Sequence, residues 1–201
     1  DFTGAADEYL KLISTGFARV ADVKFVKTGL RMDARKTEGV LSGSQQYNYE
    51  LAQGVTTSGQ NVWSAESGLK NSQGDLKVLY SNAPGAEIQY NPNQCGNGLE
   101  PGTYNVYIWC PKGINVNTEI KANDAVTQVY YTSLIDKYGT DPNPRWIQIG
   151  TYNFMGADDE YIKLTPLTTT WVADVKFEKT DLHMDVRSTV GQRWSEAAYT
   201  Y

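Results

Sequence analysis

At 201 residues, with a formal net charge of −5 and a pI near 4.9, the chain is long enough for one large β domain with an ordinary core. It has no clustered Lys and Arg and no apolar run long enough to cross a bilayer, and no signal peptide is expected in it. It is therefore expected to bind no nucleic acid and to insert in no membrane.

Fourteen Tyr and five Trp stand among many Asn, Thr and Gly. That mixture suits half-exposed strands and polar loops, and it suits a secreted sugar-binding surface as well. A start at Asp1 rather than Met predicts a processed or excised chain.

The first element met is a repeat. Phe2 to Thr37 aligns without a gap with Phe154 to Thr189, and 21 of the 36 pairs are identical, including all of VADVKF. Only the second copy follows a long preceding segment, so residues 1–37 read as a partial repeat. Residues 38–62 read as a linker, 63–189 as one complete domain and 190–201 as a C-terminal tail.

Downstream, periodicity is β almost throughout. Candidate strands run over Leu76 to Tyr80, Glu87 to Tyr90, Tyr104 to Cys110, Trp146 to Phe154 and Glu160 to Leu164. In TYNVYIWC, Tyr104, Val106, Ile108 and Cys110 share one face, while Asn105, Tyr107 and Trp109 share the other, so both faces suit a central strand. EIKANDAVTQVYY reads as a hairpin turning at Asn123 and Asp124. In VADVKF, Ala173, Val175 and Phe177 form the core face, and Val172, Asp174 and Lys176 the wetter one. Turn clusters at Asn82 to Gly85, Asn91 to Gly102 and Asp141 to Pro144 separate these strands. The pattern predicts an all-β, antiparallel β-sandwich or jelly roll, carrying an extra N-terminal copy of its closing strands.

The ordered motifs PGTYNVYIWCPKG, a hairpin, WIQIGTYNFMGADDEYIKLTP and WVADVKF resemble the golvesin C-terminal-like domain, which also occurs beside bacterial xanthan lyases. The resemblance covers roughly residues 63 to 178. The chain departs from the family at Cys110, where a second Trp is usual, and in an insertion around Leu134 to Pro144. The resemblance implies an extracellular, polysaccharide-associated β-sandwich without catalytic residues of its own.

The residues themselves offer little chemistry. His183 is the only histidine, and its equivalent in the first copy is Arg31, which suits an exposed strand position better than a general base. Two cysteines, Cys95 and Cys110, leave a disulfide open and show no metal-ligand spacing. Asp158, Asp159 and Glu160 are weak calcium candidates by ligand type, and a solvated turn before a strand explains them better. No cofactor is otherwise implied. Asp174 and its counterpart Asp22 are expected to be structural, accepting hydrogen bonds from neighbouring loops.

Trp109 and Trp171 read as packing residues, whereas Trp63, Trp146 and Tyr131 are the candidates for stacking on sugar. The apolar residues of the first tail, Phe2, Tyr9, Leu10, Leu12, Val23 and Phe25, need a partner surface. They have three destinations: an edge of the same domain, another molecule reached by strand exchange, or a missing upstream half. Two functions follow. One is a non-catalytic extracellular module in a tandem-repeat protein, binding polysaccharide or cell-surface glycan. The other is a self-assembling subunit of a fibre, sheath or surface layer, whose partners are other copies of itself.

Overall fold

The computed structural model describes residues 29–38, 49–58, 62–112, 114–131, 144–180 and 22–25 with 182–185; for 22–25, 130–131 and 182–185 only the backbone is described. The chain divides into two compact units, Val26–Thr180 and the pair of segments Asp1–Phe25 and Asp181–Tyr201.

The larger unit is antiparallel β throughout its described strands. One sheet holds β2 (Leu30–Asp33), β7 (Gly102–Cys110), β10 (Arg145–Phe154) and β13 (Asp174–Lys179) in the order β10-β7-β13-β2. A second holds β3 (Val55–Thr57), β6 (Ile88–Tyr90), β8 (Val116–Ala122), β9 (Ala125–Tyr131) and β11 (Tyr161–Pro166) in the order β3-β6-β11-β8-β9. A small third sheet joins β4 (Ser64–Ala65), β5 (Leu79–Ser81) and β12 (Thr170–Val172).

The expected alternation is visible in β7, where Tyr104, Val106, Ile108 and Cys110 are buried and Asn105, Tyr107 and Trp109 are half-buried. Strand β7 lies between β10 and β13, as apolar character on both faces requires. The hairpin between β8 and β9 turns at Asn123 (φ 49°) and Asp124 (φ 59°). Two consecutive left-handed residues are what a two-residue hairpin matching the strand twist needs, and Asn and Asp tolerate that region better than branched residues do.

The inner faces of the sheets meet in one core. Val106, Ile108, Ile147, Val175 and Phe177 come from the first sheet, Ile88, Tyr90, Ile120, Ile162 and Leu164 from the second, and Leu79 and Val172 from the third. Phe154 contacts Phe177 edge to face at 5.5 Å and Tyr104 at 5.9 Å. Each fully buried aromatic or aliphatic side chain of this kind contributes about 1.5–3 kcal/mol.

One strand lies in a tail whose partner the sequence reading left open, and another where it places none. β2, from within the 1–37 partial repeat, pairs with β13, matching Leu30 to Phe177 and Asp33 to Asp174. β3, from within the 38–62 linker, pairs with β6. The unit therefore begins well before residue 63 and ends at Thr180 rather than 189. The reason is topological: the partner of β2 lies at the opposite end of the unit in sequence, beyond the reach of local periodicity.

In the smaller unit, β1 (Asp22–Phe25) pairs with β14 (Leu182–Asp185). Val23 and Phe25 of the first tail thus belong to a described strand, whereas Phe2, Tyr9, Leu10, Leu12 and the 190–201 tail lie outside the described residues. Cys95 and Cys110 are both free thiols, and burial pushes both up.

Candidate functional site

Register and alternation put one row of polar and aromatic side chains on the outer face of the β10-β7-β13-β2 sheet. Trp146 faces Trp109, Gln148 faces Tyr107, and Thr151 faces Asn105 across β10 and β7. Tyr107 then faces Lys176, which faces Arg31. A β-bulge between Gln148 and Gly150 re-sets the alternation, so that Ile147 and Ile149 are both buried while Gln148 and Thr151 stay exposed.

The centre of this face is aromatic. Trp109 and Trp146 meet edge to face at 5.4 Å. The Lys176 ammonium lies 4.5 Å from the Tyr107 ring centre and 4.7 Å from that of Trp146, and pairs with Glu178 at 2.7 Å. Burial, then Glu178, pushes the Tyr107 phenol up, so it stays a neutral donor. Beside the aromatics, Gln148 and Thr151 both donate to the Asn105 side-chain oxygen, at 3.2 and 2.7 Å. The rings are held in place as well: the Trp109 indole N–H donates to the Lys70 carbonyl at 3.0 Å.

The same loop closes one end of the face over a charged cluster. Asp174 is fully buried, and its Oδ2 accepts from Arg31 at 2.7 Å, from the Ser72 backbone at 3.2 Å and from the Ser72 hydroxyl. Arg31 also pairs with Asp33 and donates to Gln73 at 2.8 Å. Lys77 bridges Asp33 at 3.1 Å and Asp75 at 3.3 Å. Asn71 orders the loop, accepting from the Gln73 and Asp75 backbone at 3.0 and 2.7 Å while donating to Asp33 at 3.0 Å. Burial raises the Asp174 pKa, only partly offset by Ser72 and Arg31. Burial works against charge on Arg31, but its bonds to Asp174 and Asp33 outweigh that and push it up. Asp174 thus takes hydrogen bonds from a neighbouring loop, as expected, and its side of β13 is drier than its polarity suggests.

The other candidates fall elsewhere. Trp63 is 0% exposed, and its N–H donates to the Glu87 carbonyl at 3.0 Å, so it offers no face to a ligand. A tryptophan next to turn residues looks exposed in sequence, but here it belongs to the common core. Tyr131 lies at the end of β9, and its side chain is outside the described residues. Trp171 stacks on Tyr80 at 6.2 Å under Lys112 and donates to Glu66. Trp109, read as a packing residue, stands on the outer face; the alternation of TYNVYIWC already put it opposite the core row.

The calcium candidates form a structural turn. Glu160 is 1% exposed; its Oε1 accepts from the Asn123 and Met155 backbone at 2.9 and 2.8 Å. Its Oε2 accepts from the Gly156 and Ala157 backbone at 2.9 and 3.0 Å and from Asn93 at 3.2 Å. Five donors converge on the two oxygens, leaving this carboxylate no lone pair directed at an ion. Asp159 pairs with Lys121. Among the described residues, no group of three His, Cys, Asp or Glu is arranged to hold a metal.

No protein-family model matches the chain, and no curated protein does. Among solved structures, the chain is similar to part of a Paenibacillus xanthan lyase, with 17% identity and a TM-score of 0.52 over 76% of this chain. The match spans only 13% of the lyase. An insecticidal crystal protein, Cry2Aa, aligns at 14% identity and a TM-score of 0.34, over 65% of this chain and 19% of that one. The first likeness shows a related β-rich fold.

Proposed function

We propose that this chain is a non-catalytic, extracellular module of the golvesin C-terminal-like kind, and that the outer face of the β10-β7-β13-β2 sheet binds polysaccharide. The observation that carries the reading is the Trp109–Trp146–Tyr107 cluster, set beside exposed hydrogen-bonding side chains on a rigid sheet. Sugar rings present C–H faces that stack on aromatic rings and hydroxyls that meet amide and hydroxyl groups. Trp and Tyr supply that contact area at low entropic cost. The fold likeness to part of a xanthan lyase supports the choice of polysaccharide, and Lys176 gives the face a cation suited to an acidic one.

Affinity electrophoresis in gels containing xanthan, a neutral glucan or no polymer tests this. Retardation by a polysaccharide is expected, and Trp146→Ala should weaken it by about 30-fold, roughly the 2 kcal/mol of a central aromatic anchor. Trp146 is the better probe because Trp109 also braces a loop. Equal mobility in every gel would sink the reading.

A second reading is a self-assembling subunit, and one observation favours it. The strands β1 and β14, complementary in register, come from the two flanks of the larger unit.

A further inference from the structure

Lys176 already holds an anion on the aromatic face. Its ammonium reaches over β7, which separates β13 from β10, to lie 4.5 Å from the Tyr107 ring centre and 4.7 Å from that of Trp146, and it closes on Glu178 at 2.7 Å. Glu178 also accepts from the Tyr107 phenol. One carboxylate therefore takes two donors at the centre of the cluster. Glu178 stands opposite Asn105, whose side-chain oxygen is already taken by Gln148 and Thr151.

The two partners are held unequally. The Lys176 side chain is 23% exposed, and the faces of two aromatic rings attract and fix its charge. Glu178 is 41% exposed, so water is at hand for its carboxylate when it lets go. Arg31, next to Lys176 in the row, is not open to exchange in this way. Its partners Asp174 and Asp33 are 0% and 15% exposed, and releasing Asp174 would leave a buried charge unpaired. The repeat also separates the pair, since the first copy has Lys24 at the position of the lysine but Val26 at that of the acid. The strand motif keeps the lysine without the acid.

We propose that Glu178 stands in for a ligand carboxylate, and that the face takes acidic polysaccharide by exchange: a sugar carboxylate replaces Glu178 on Lys176 and Tyr107, and Glu178 turns out to water. The inference rests on the polysaccharide reading above and names the class of sugar. The exchange conserves charge and donors at the centre of the face. A neutral sugar stacked on Trp146 brings no anion, so it leaves the Lys176–Glu178 pair in place. A carboxylate that arrives without displacing Glu178 meets like charge. Glu178 therefore competes with acidic chains and is indifferent to neutral ones.

Affinity electrophoresis tests the exchange in gels holding xanthan, which carries carboxylates, or carboxyl-reduced xanthan, with each mobility referred to a gel without polymer. In xanthan, Glu178→Gln should tighten binding about threefold, the scale of losing one exposed competing ion pair, and Lys176→Met should weaken it about tenfold. In the Lys176→Met background, Glu178→Gln should change nothing, because the lysine they compete for is gone. Glu87→Gln, which removes the same charge beside the other sheet, should leave xanthan binding as it was. In carboxyl-reduced xanthan all these variants should match the parent.

Xanthan binding that Trp146→Ala weakens but that neither Glu178→Gln nor Lys176→Met alters keeps the face as a binding site and overturns the exchange. Weaker binding by Glu178→Gln, equal tightening by Glu87→Gln, or tightening that survives Lys176→Met overturns it too. Equal mobility of the parent in every gel removes the polysaccharide reading and the exchange with it.

Discussion

The pairs β2–β13 and β1–β14 are built from nearly the same eight residues in the same register, yet they occupy different surroundings. β13 lies between β2 and β7, with Val175 and Phe177 fully buried in the common core. Among the described residues, β1 and β14 make a sheet of two. The motif therefore encodes who pairs with whom, and the rest of the unit supplies the stability of the pair. Backbone hydrogen bonds exchange against water at little net gain, while buried apolar area does not.

The largest test of this contrast removes the same ring from both copies. Phe177 is fully buried against Phe154. Phe177→Ala should cost about 3–5 kcal/mol, the usual range for emptying a buried aromatic site. Phe25→Ala, in the smaller unit, should leave the urea transition of the larger unit within about 0.5 kcal/mol of its original stability, as changes outside that unit's core do. Equal losses from the two substitutions would mean that β1–β14 is as much a part of the cooperative core as β13.

A smaller effect is expected at the acidic turn. Glu160 gathers five N–H donors, and its repeat counterpart is Glu8. Glu160→Gln turns an amide N–H₂ toward groups that themselves donate, and should cost about 2–3 kcal/mol by denaturant unfolding. Glu8→Gln should cost nothing measurable in the same transition, because the segments that complete this turn, the β8–β9 turn with Asn123 and the loop before β7 with Asn93, occur once in the chain. A matching loss at Glu8 would show a second completed turn.

Much of the sandwich was legible because its strands alternate and its turns carry their own chemistry. TYNVYIWC announced a central strand, and Asn123–Asp124 announced a hairpin whose left-handed turn the structure contains. β3 was not legible, and β2 was legible only as part of a tail without a settled partner, since short strands become strands only through partners that sequence distance hides. The site was half legible for a related reason. Alternation separates the faces of a strand, which puts Trp109 and Trp146 outward, but it says nothing about what covers a face. A loop shields Asp174, and Trp63 is buried in the common core. The acidic run at 158–160 showed its composition but not the five amides that converge on one of its members.

The finest test of the comparison is electrostatic. Asp174 is buried, its Oδ1 has no hydrogen-bond partner among the described residues, and burial holds its pKa above the ordinary 3.8 despite Ser72 and Arg31. The folded state therefore keeps this proton to higher pH than the unfolded chain does. The resulting stabilisation is fully present below the ordinary value and is lost as pH rises through the raised one. Glu119 runs the other way: hydrogen bonds from Tyr161 and Lys163 hold it below its ordinary 4.5, so its contribution is present above that value and lost as pH falls. Subtracting Asp174→Asn from the parent isolates the first slope, because Glu119 is common to both. In urea unfolding from pH 3.5 to 7, the parent's stability relative to Asp174→Asn should decline steadily with rising pH. A flat difference for Asp174→Asn would mean that Arg31 and Ser72 fully compensate the buried charge.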